Sequence, residues 1–448
     1  MLAAGAMVGA SSASAQSGDG NPPVRLITLD PGHFHAALVQ KTMYPCVDPV
    51  VHIYAPAGDD LQVHLKLIES FNTRTNEPTH WQEKVYTGPD FVERMLAEKE
   101  GNVVVIAGNN RHKTGYILAA ARGGINVLAD KPMAITPKDF QLLREAFTVA
   151  ASNHVLLWDI MTERHEITSV LQAELSRQPE LFGKLADGSP GDPTIIEEST
   201  HSFSKLVAGE PLKRPPWFFD VRQQGEGIVD VSTHLVDLVQ WELFPQTPLD
   251  PSDVTVQSAR HWSTILSREQ FQQLTSATNF PGYLKTDVRA GLLNVRANGE
   301  FTYRIKGIWA KVSVAWEFQS PGNGADQHRS VLRGTRANLV IHQGGHENFK
   351  PMLYVEKITD EPDAMFESSL ASAIRALQAN FPGIGFERDG NAWRITVPDR
   401  YDTGHEAHFA QVTQDFLRAL RNGHLPDWEV QAMLTKYDTI MRAYEMSR

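Results

Sequence analysis

Short apolar runs alternate with amphipathic segments in the first third of the chain. The runs at 24–29, 50–54, 102–107, 125–129 and 154–158 are rich in apolar residues, which is typical of strands buried on both faces of a parallel sheet. Between them, 36–39, 112–122 and 136–150 have helical spacing. Strands that alternate with helices in this way predict an α/β domain with a doubly wound parallel sheet over residues 24–160.

The pattern changes beyond residue 160. A helix is predicted over 162–175 and a loop over 183–193, and longer segments with alternating apolar and polar residues follow. We expect strands at 194–201, 254–258, 286–294, 300–307, 310–318, 330–333, 338–341 and 352–357, and closing helices at 405–420 and 427–444. Such alternation is typical of antiparallel sheets, so residues 161–448 are predicted to form an α+β domain.

Residues 1–23 lack this patterning. A weakly apolar stretch at 1–10 precedes Ala13-Ser14-Ala15, which has the form of a signal-peptidase site, and a Gly/Ser/Pro spacer follows. The stretch indicates a leader, in composition like a twin-arginine one, and therefore a periplasmic or secreted protein. The alternative is a tail without a targeting role on a cytoplasmic protein.

Composition narrows the function classes. The chain has 448 residues and a net charge of −11, which argues against nucleic acid or an anionic membrane as a partner. Cys46 is the single cysteine, so neither an internal disulfide nor a cysteine-based metal cluster is expected. No run approaches the roughly 18 apolar residues of a membrane span.

The carboxyl ends of the predicted parallel strands locate a candidate site. Ligands of doubly wound sheets bind at this edge, which here comprises the turns 30–35, 54–60, 107–112 and 130–132.

A second candidate site lies in the segment 225–237. Asp230, His234 and Asp237 fall on one stripe if the segment is helical from Gly227 onward. A histidine with a carboxylate on the same face is suited to act as a general base with an orienting partner. The alternative is a solvated face with a surface ion pair.

Together these two segments resemble one known family. Asp130-Lys131-Pro132 after a parallel strand, followed by Gly225-x-Gly227-x-x-Asp230-x-x-x-His234-x-x-Asp237, is similar to the Gfo/Idh/MocA family of glucose–fructose oxidoreductase and inositol dehydrogenase. The resemblance covers residues 24–241, and the ending from 416 to 443 also looks similar. It implies a Rossmann domain, a second domain with a large open sheet, and NAD(P)-dependent chemistry on a hydroxyl or carbonyl of a sugar, glycoside or cyclitol.

The resemblance also implies roles for individual residues. Lys131 matches the family's lysine near the nicotinamide, His234 the proton acceptor, and Asp230 the aspartate that contacts substrate or histidine. A base must reach the hydroxyl whose proton leaves with the hydride, and a lysine cation stabilises the developing alkoxide. The cofactor-binding set is Gly32, His33, Phe34, His35, Asn109, Asn110, His112, Asp130, Lys131 and Pro132, and the substrate-binding set is His201, Asp237 and Trp217.

The first turn departs from the family's G-x-G-x-x-G pattern. It reads Asp30-Pro31-Gly32-His33-Phe34-His35, in which only Gly32 remains for close approach of a pyrophosphate. No Arg or Lys for a 2′-phosphate follows the second strand, so NAD is favoured over NADP.

No metal is assigned, although Asp30, His33 and His35 have donor groups for a divalent ion. The alternative is that this turn caps the first helix and binds substrate hydroxyls.

Other candidate residues are histidines and tryptophans outside these motifs. The histidine clusters at 342–347 and 405–408 do not have the residue order of a zinc-protease motif, and their histidines are expected to pack in the core or to bind water. Trp217 and Trp241 are expected to stack on a sugar or to pack in the core.

Three functions remain open at this point. The first is a sugar oxidoreductase, which, if exported, must hold NAD tightly and recycle it. The second is an NAD-using glycosidase or lyase that acts by transient oxidation and elimination and needs an extra base. The third is a metal-dependent or non-catalytic sugar-binding protein. A protein that only binds a sugar has no use for a Lys131–His234 pair. The resemblance also implies a homo-oligomer that associates through the C-terminal sheet.

Overall fold

The computed structural model describes residues 23–207 and 210–448. The predicted leader therefore lies almost entirely outside the described residues. None of the described helices combines the length and the apolar composition that crossing a membrane requires.

The N-terminal domain is built on a parallel sheet, as predicted, with six strands where five were expected. The strand order is β3-β2-β1-β4-β5-β6, and the order reverses between β1 and β4, where the following turns flank a crevice. The strands are β1 (Leu26–Leu29), β2 (Val50–Ala55), β3 (Gln82–Thr87), β4 (Val103–Ile106), β5 (Asn126–Asp130) and β6 (Leu157–Ile160). The helices are α1 (His35–Leu38), α2 (Asp59–Thr73), α3 (Phe91–Glu98), α4 (Asn110–Arg122) and α5 (Pro137–Ser152).

The C-terminal domain carries a second sheet, in which β7 and β13 pair in parallel and the other pairs are antiparallel. Its order is β10-β12-β13-β7-β14-β15-β16-β18-β17, with β11 beside β12. The strands are β7 (Ile195–Ser202), β10 (Val254–Leu266), β11 (Val288–Arg289), β12 (Leu292–Ile305), β13 (Ile308–Glu317), β14 (Gln327–Arg333), β15 (Ala337–Gln343), β16 (Met352–Lys357), β17 (Gly385–Asp389) and β18 (Ala392–Thr396); β8 (Leu206–Val207) and β9 (Glu210–Pro211) form a separate hairpin.

The helices of this domain cover the second sheet and its edges. They are α6 (Ile167–Ser176), α7 (Pro179–Phe182), α8 (Ser232–Leu243), α9 (Arg268–Thr275), α10 (Pro321–Gly324), α11 (Asp363–Leu377), α12 (His405–Asn422) and α13 (Glu429–Met446). Short 3-10 helices lie at Thr162–His165, Pro216–Phe219, Pro251–Asp253, Gly282–Asp287 and Asp399–Tyr401.

Several predicted boundaries differ from the structure. The helix expected over 162–175 is divided, because a 3-10 turn ends at His165 and Glu166 then caps α6 through the backbone N–H of Ser169. The strand expected at 300–307 begins earlier, because β12 runs without a break from Leu292 to Ile305, while the first part of the strand expected at 286–294 is a 3-10 helix followed by the short β11. The sequence analysis did not predict β3, β17 or β18, whose mixed polar composition reflects partial exposure.

The segment before α8 is not helical, which corrects the predicted stripe. A Cβ on Gly227 would lie 1.8 Å from the carbonyl oxygen of Ala297, so only glycine allows β12 to approach this closely. The chain passes through tight turns here, and α8 begins at Ser232. Asp230 therefore precedes the helix that carries His234.

The C-terminal helices pack back onto the N-terminal half. The 3-10 helix Thr162–His165 contacts α12, and α13 contacts α5, α8 and β10. The ammonium group of Lys436 on α13 is fully buried and lies 2.8 Å from both Asp159 Oδ2 and Asp237 Oδ1. Removal of either partner of such a buried pair leaves an uncompensated charge in the core, so these contacts hold the two domains together.

Candidate active site

A cavity of about 340 Å³ lies between the carboxyl edge of the first sheet and one face of the second. The first domain contributes the turn after β1 and Lys131 after β5. The second contributes β7, β14, the start of α8 and the loop before α12. The volume suits a small organic ligand.

Lys131 and Asp230 form an ion pair on the cavity wall. The ammonium nitrogen lies 2.7 Å from Asp230 Oδ1, and the amide of Gln224 donates to Oδ2 at 3.1 Å. Burial alone would raise the pKa of Asp230, but the Lys131 charge and these hydrogen bonds outweigh burial and hold the pKa below its ordinary value. The pair is therefore charged near neutral pH.

His234 lines the same cavity from the first turn of α8. Its Nδ1 is buried and accepts or donates no hydrogen bond within the described residues. Burial, and after it the nearby Lys131 charge, lower the pKa of His234 to about 3. The imidazole is therefore neutral and free to receive a proton. Asp230 binds Lys131 rather than His234, unlike the orienting contact that the spacing predicted.

Another histidine on the cavity wall, His201, lies between a hydroxyl and a carboxylate. Its Nε2 is 2.7 Å from Ser199 Oγ, and its Nδ1 is 3.4 Å from Asp326 Oδ1. Its ring stacks on Trp316, the residue paired with it across β7 and β13, at a centroid distance of 5.0 Å. His201 thus lines the cavity with polar partners on both ring nitrogens; its contact with a substrate stays a prediction.

His405 and His408, at the start of α12, also line the cavity. They were expected only to pack or to bind water. His405 Nδ1 lies 3.5 Å from Glu163 Oε1; burial lowers the pKa of His405, but the Glu163 carboxylate outweighs burial and raises it. Glu163 and His328 were missed by the sequence analysis, because neither belongs to a recognisable motif and both reach the cavity only through the fold.

The first turn brings two histidines together with Asp130. His35 Nδ1 lies 3.0 Å from Asp130 Oδ2, and His33 Nδ1 lies 3.8 Å from the same oxygen. Burial outweighs the Asp130 charge and lowers the pKa of His33 well below its ordinary value. Asp30, which was considered with these histidines, is bonded elsewhere: the Tyr116 hydroxyl donates to its carboxylate at 3.0 Å.

The crevice beside Gly32 has two different ends. At one end, Lys131, His33 and Phe34 border the cavity. At the other, a Cβ on Gly32 would meet Asp60 Oδ2 at 3.1 Å and the Trp217 ring at 3.2 Å, and Trp217 Nε1 donates to Asp60 Oδ2 at 3.0 Å. The residues at the cavity end fit a nicotinamide, whereas a pyrophosphate reaches Gly32 only if Trp217 moves aside.

The remaining cofactor candidates cluster around α4 and Lys131. Asn109 caps α4 and donates to the side chain of Gln223 at 2.8 Å, and Asn110 donates to the carbonyl of Gln224 at 2.7 Å. His112 lies beside Tyr116 in the next turn. Pro132 follows Lys131 through a cis peptide bond.

Two substrate candidates lie outside the cavity lining. Trp217 covers Gly32, as described above. Asp237 accepts two hydrogen bonds from Arg164, at 2.6 and 2.7 Å, and binds Lys436. Trp241 lines a separate groove with Trp158 and Trp428.

Comparisons with known proteins place these features in context. Residues 50–172 match the family model described as "Oxidoreductase family, NAD-binding Rossmann fold", and residues 171–448 match "Putative oxidoreductase C terminal domain". No curated protein sequence matches the chain.

Solved structures with the same fold cover nearly the whole chain. A "putative oxidoreductase" from Parabacteroides merdae is 50% identical, with a TM-score of 0.92 over 95% of this chain and 98% of that chain. A levoglucosan dehydrogenase solved with NADH and levoglucosan is 14% identical, with a TM-score of 0.56 over 95% and 97%. A 3-ketoreductase from Actinomadura kijaniata solved with NADP is 13% identical, with a TM-score of 0.54 over 92% and 95%. The last two share the fold.

Proposed function

Because the chain belongs to the Gfo/Idh/MocA family of oxidoreductases with an NAD-binding Rossmann domain, we propose that it interconverts a hydroxyl and a carbonyl on a sugar, glycoside or cyclitol. The observation that carries this proposal is the convergence of the Lys131–Asp230 pair and the neutral His234 on one cavity, at the nicotinamide end of the crevice. We assign the catalytic roles to these three residues.

The bound nicotinamide supplies the hydride acceptor or donor, and the three residues handle the proton and the charge. In the oxidative direction His234 takes the hydroxyl proton, and the Lys131 ammonium stabilises the negative charge that develops on the oxygen. Burial and, after it, the Lys131 charge lower the pKa of His234. The negative charge that develops on the oxygen counteracts the lowering by Lys131, so the proton affinity of the imidazole rises as the reaction proceeds. Asp230 fixes the position of the ammonium and keeps it charged.

The cavity wall supports a polyhydroxylated substrate. Trp316 and Phe218 offer apolar ring surfaces, and Arg214 stacks on both, with its guanidinium carbon 5.2 Å and 4.5 Å from their ring centres. Sugars present apolar C–H faces and hydroxyl edges, which such mixed walls recognise.

A single experiment tests the cofactor and the class of activity together. The purified protein is denatured, the released small molecules are identified by mass spectrometry, and native protein is then assayed with NAD and NADP against a panel of sugars and glycosides. We expect released or added NAD(H) to support oxidation of a sugar hydroxyl. The proposal would be rejected if the denatured protein released no nucleotide and the native protein bound neither NAD nor NADP.

A second candidate function is an NAD-using glycosidase or lyase. It is favoured by the Ser199–His201–Asp326 arrangement on the same cavity, which supplies the extra base needed to remove a carbon-bound proton after transient oxidation. Release of an aglycone without net reduction, with solvent deuterium incorporated into the sugar, would identify this chemistry. Net NADH production in proportion to substrate would exclude it.

The exposed sheet face supports a further proposal, that the chain forms homo-oligomers through its C-terminal sheet. Ile265 and Leu292, on the paired strands β10 and β12, are 55% and 40% exposed. Light scattering of the purified protein tests this, with the charged double variant I265K/L292K as the comparison. A monomeric wild-type protein would contradict it.

A further inference from the structure

Three donor atoms converge where the first domain meets the cavity. One ring nitrogen each of His33 and His35 and a carboxylate oxygen of Asp130 lie within 4.8 Å of one another. His33 and His35 come from the turn after β1, and Asp130 ends β5. Their side chains are 20%, 10% and 6% exposed, and both histidines line the cavity.

The spacing of these atoms fits a metal ion. Ligand atoms about 2.1 Å from a tetrahedrally coordinated ion lie about 3.4 Å apart. The distances from Asp130 Oδ2 to His35 Nδ1 and His33 Nδ1 are 3.0 and 3.8 Å, on either side of that value.

Hydrogen bonding alone satisfies one histidine but not the other. His35 Nδ1 donates to Asp130 at 3.0 Å, which accounts for that contact. His33 Nδ1 instead accepts a long hydrogen bond, 3.4 Å, from the backbone N–H of His35, so this nitrogen carries a lone pair rather than a proton and cannot donate to Asp130; a metal ion on it would replace this long hydrogen bond. An acceptor nitrogen and a carboxylate oxygen that face each other repel unless a cation lies between them.

The neighbouring lysines leave the carboxylate accessible. Lys113 donates to the backbone carbonyl of Asp130 at 3.0 Å rather than to its side chain. Lys131 is paired with Asp230 at 2.7 Å. Both carboxylate oxygens of Asp130 are therefore left to the two imidazoles or to an ion between them.

We propose that His33, His35 and Asp130 bind one divalent transition-metal ion of the Zn²⁺ or Mn²⁺ type. Two imidazoles and one carboxylate form a three-ligand set that leaves coordination positions for water or substrate. These positions lie toward the cavity, so the ion is placed to bind an oxygen of the substrate and to polarise it. Metal binding goes beyond the proposed function, because it is a property of the turn itself and can be measured without turnover.

The test measures metal binding directly. The protein is purified without a metal-affinity column and its metal content is determined; it is then treated with a chelator and titrated with Zn²⁺ and, separately, Mn²⁺ by calorimetry. The variants are H33N and H35N, and the matched control is H80N, which removes an exposed histidine before β3. Thermal unfolding checks that each variant is folded.

We expect about one ion per chain, with binding weakened about 100-fold or more in H33N and H35N and unchanged in H80N. X-ray absorption of the zinc form should show imidazole nitrogens about 2.0–2.1 Å from the metal. The proposal is overturned if the wild-type protein binds these ions no more tightly than H33N does, or if H80N loses binding equally. The nucleotide-release experiment is independent, so failure of one proposal is distinguishable from failure of the other.

Discussion

The two ends of the crevice between β1 and β4 contrast sharply. At the cavity end, the Lys131–Asp230 pair and His234 form the polar group to which we assign catalysis. At the other end, Trp217 and Asp60 lie over Gly32, where a pyrophosphate would approach. The two ends therefore offer a nucleotide opposite surroundings, a polar wall open to the cavity at one end and a glycine covered by an indole at the other.

The largest effect is expected from K131M, which removes the cation at the cavity end. We predict a loss of about 10³-fold in kcat/KM, because both electrostatic stabilisation and orientation are lost. The variant should also be destabilised by about 3 kcal/mol, since Asp230 stays buried without its partner. Steady-state kinetics and chemical denaturation measure the two effects.

The double variant K131M/D230N separates activity from stability. It should regain much of the lost stability, because the buried charge is removed, but it should remain inactive. Recovery of activity in the double variant would contradict the assignment of Lys131 to catalysis.

A smaller loss is expected from H234N, about 10²-fold in kcat with little change in KM. Asparagine keeps a polar side chain but cannot accept the proton. The matched comparison is D237N, a carboxylate on the same helix that binds Arg164 and Lys436 rather than the cavity. D237N should lower the unfolding temperature and leave the KM of the folded enzyme unchanged. A raised KM would instead indicate that Asp237 contacts the substrate.

At the other end of the crevice, W217A should bind NAD about tenfold more tightly than the wild type. The reason is that the indole no longer has to be displaced from Gly32. W217F retains an aromatic ring but loses the hydrogen bond to Asp60, so its affinity for NAD should lie between those of the wild type and W217A. Fluorescence titration with NADH measures all three proteins. Weaker binding by W217A would mean that the indole holds the nucleotide.

The last prediction concerns stability rather than activity, through its dependence on pH. His234 has a pKa of about 3 in the folded protein, against an ordinary value of 6.5. As pH falls from 6.5 toward 3, the unfolded chain binds a proton that the folded chain does not, so stability is lost by up to about 1.4 kcal/mol per pH unit. H234N should therefore show a shallower loss of unfolding free energy over this range, and an identical slope would contradict the burial of a neutral His234.

Local patterns in the sequence predicted both sheets and part of the candidate site. The apolar runs predicted β1, β4 and β5, because parallel strands are buried on both faces. Asp130-Lys131-Pro132 and Asp230 stood out because each has a fixed place in a motif. Whether Lys131, Asp230 and His234 are catalytic stays a prediction.

Other features depend on contacts between distant segments. Glu163 and His405 are 242 positions apart in the chain and meet only because α12 packs on the 3-10 helix Thr162–His165. Asp237 has the spacing of a cleft residue, but burial beside Arg164 and Lys436 determines its partners. The position of Trp217 over Gly32 likewise follows from how the two domains meet, which no local pattern encodes.

The burial of Lys436 between Asp159 and Asp237 also bears on synthesis of the protein. Until α12 has left the ribosome the cavity lacks the wall that this helix provides, and until α13 has followed it both carboxylates lack this cation. The first domain can form its sheet early, but the candidate site is complete only when nearly the whole chain has been made. A chain that stops before residue 436 would have a Rossmann sheet and a Lys131–Asp230 pair without a stable core beneath them.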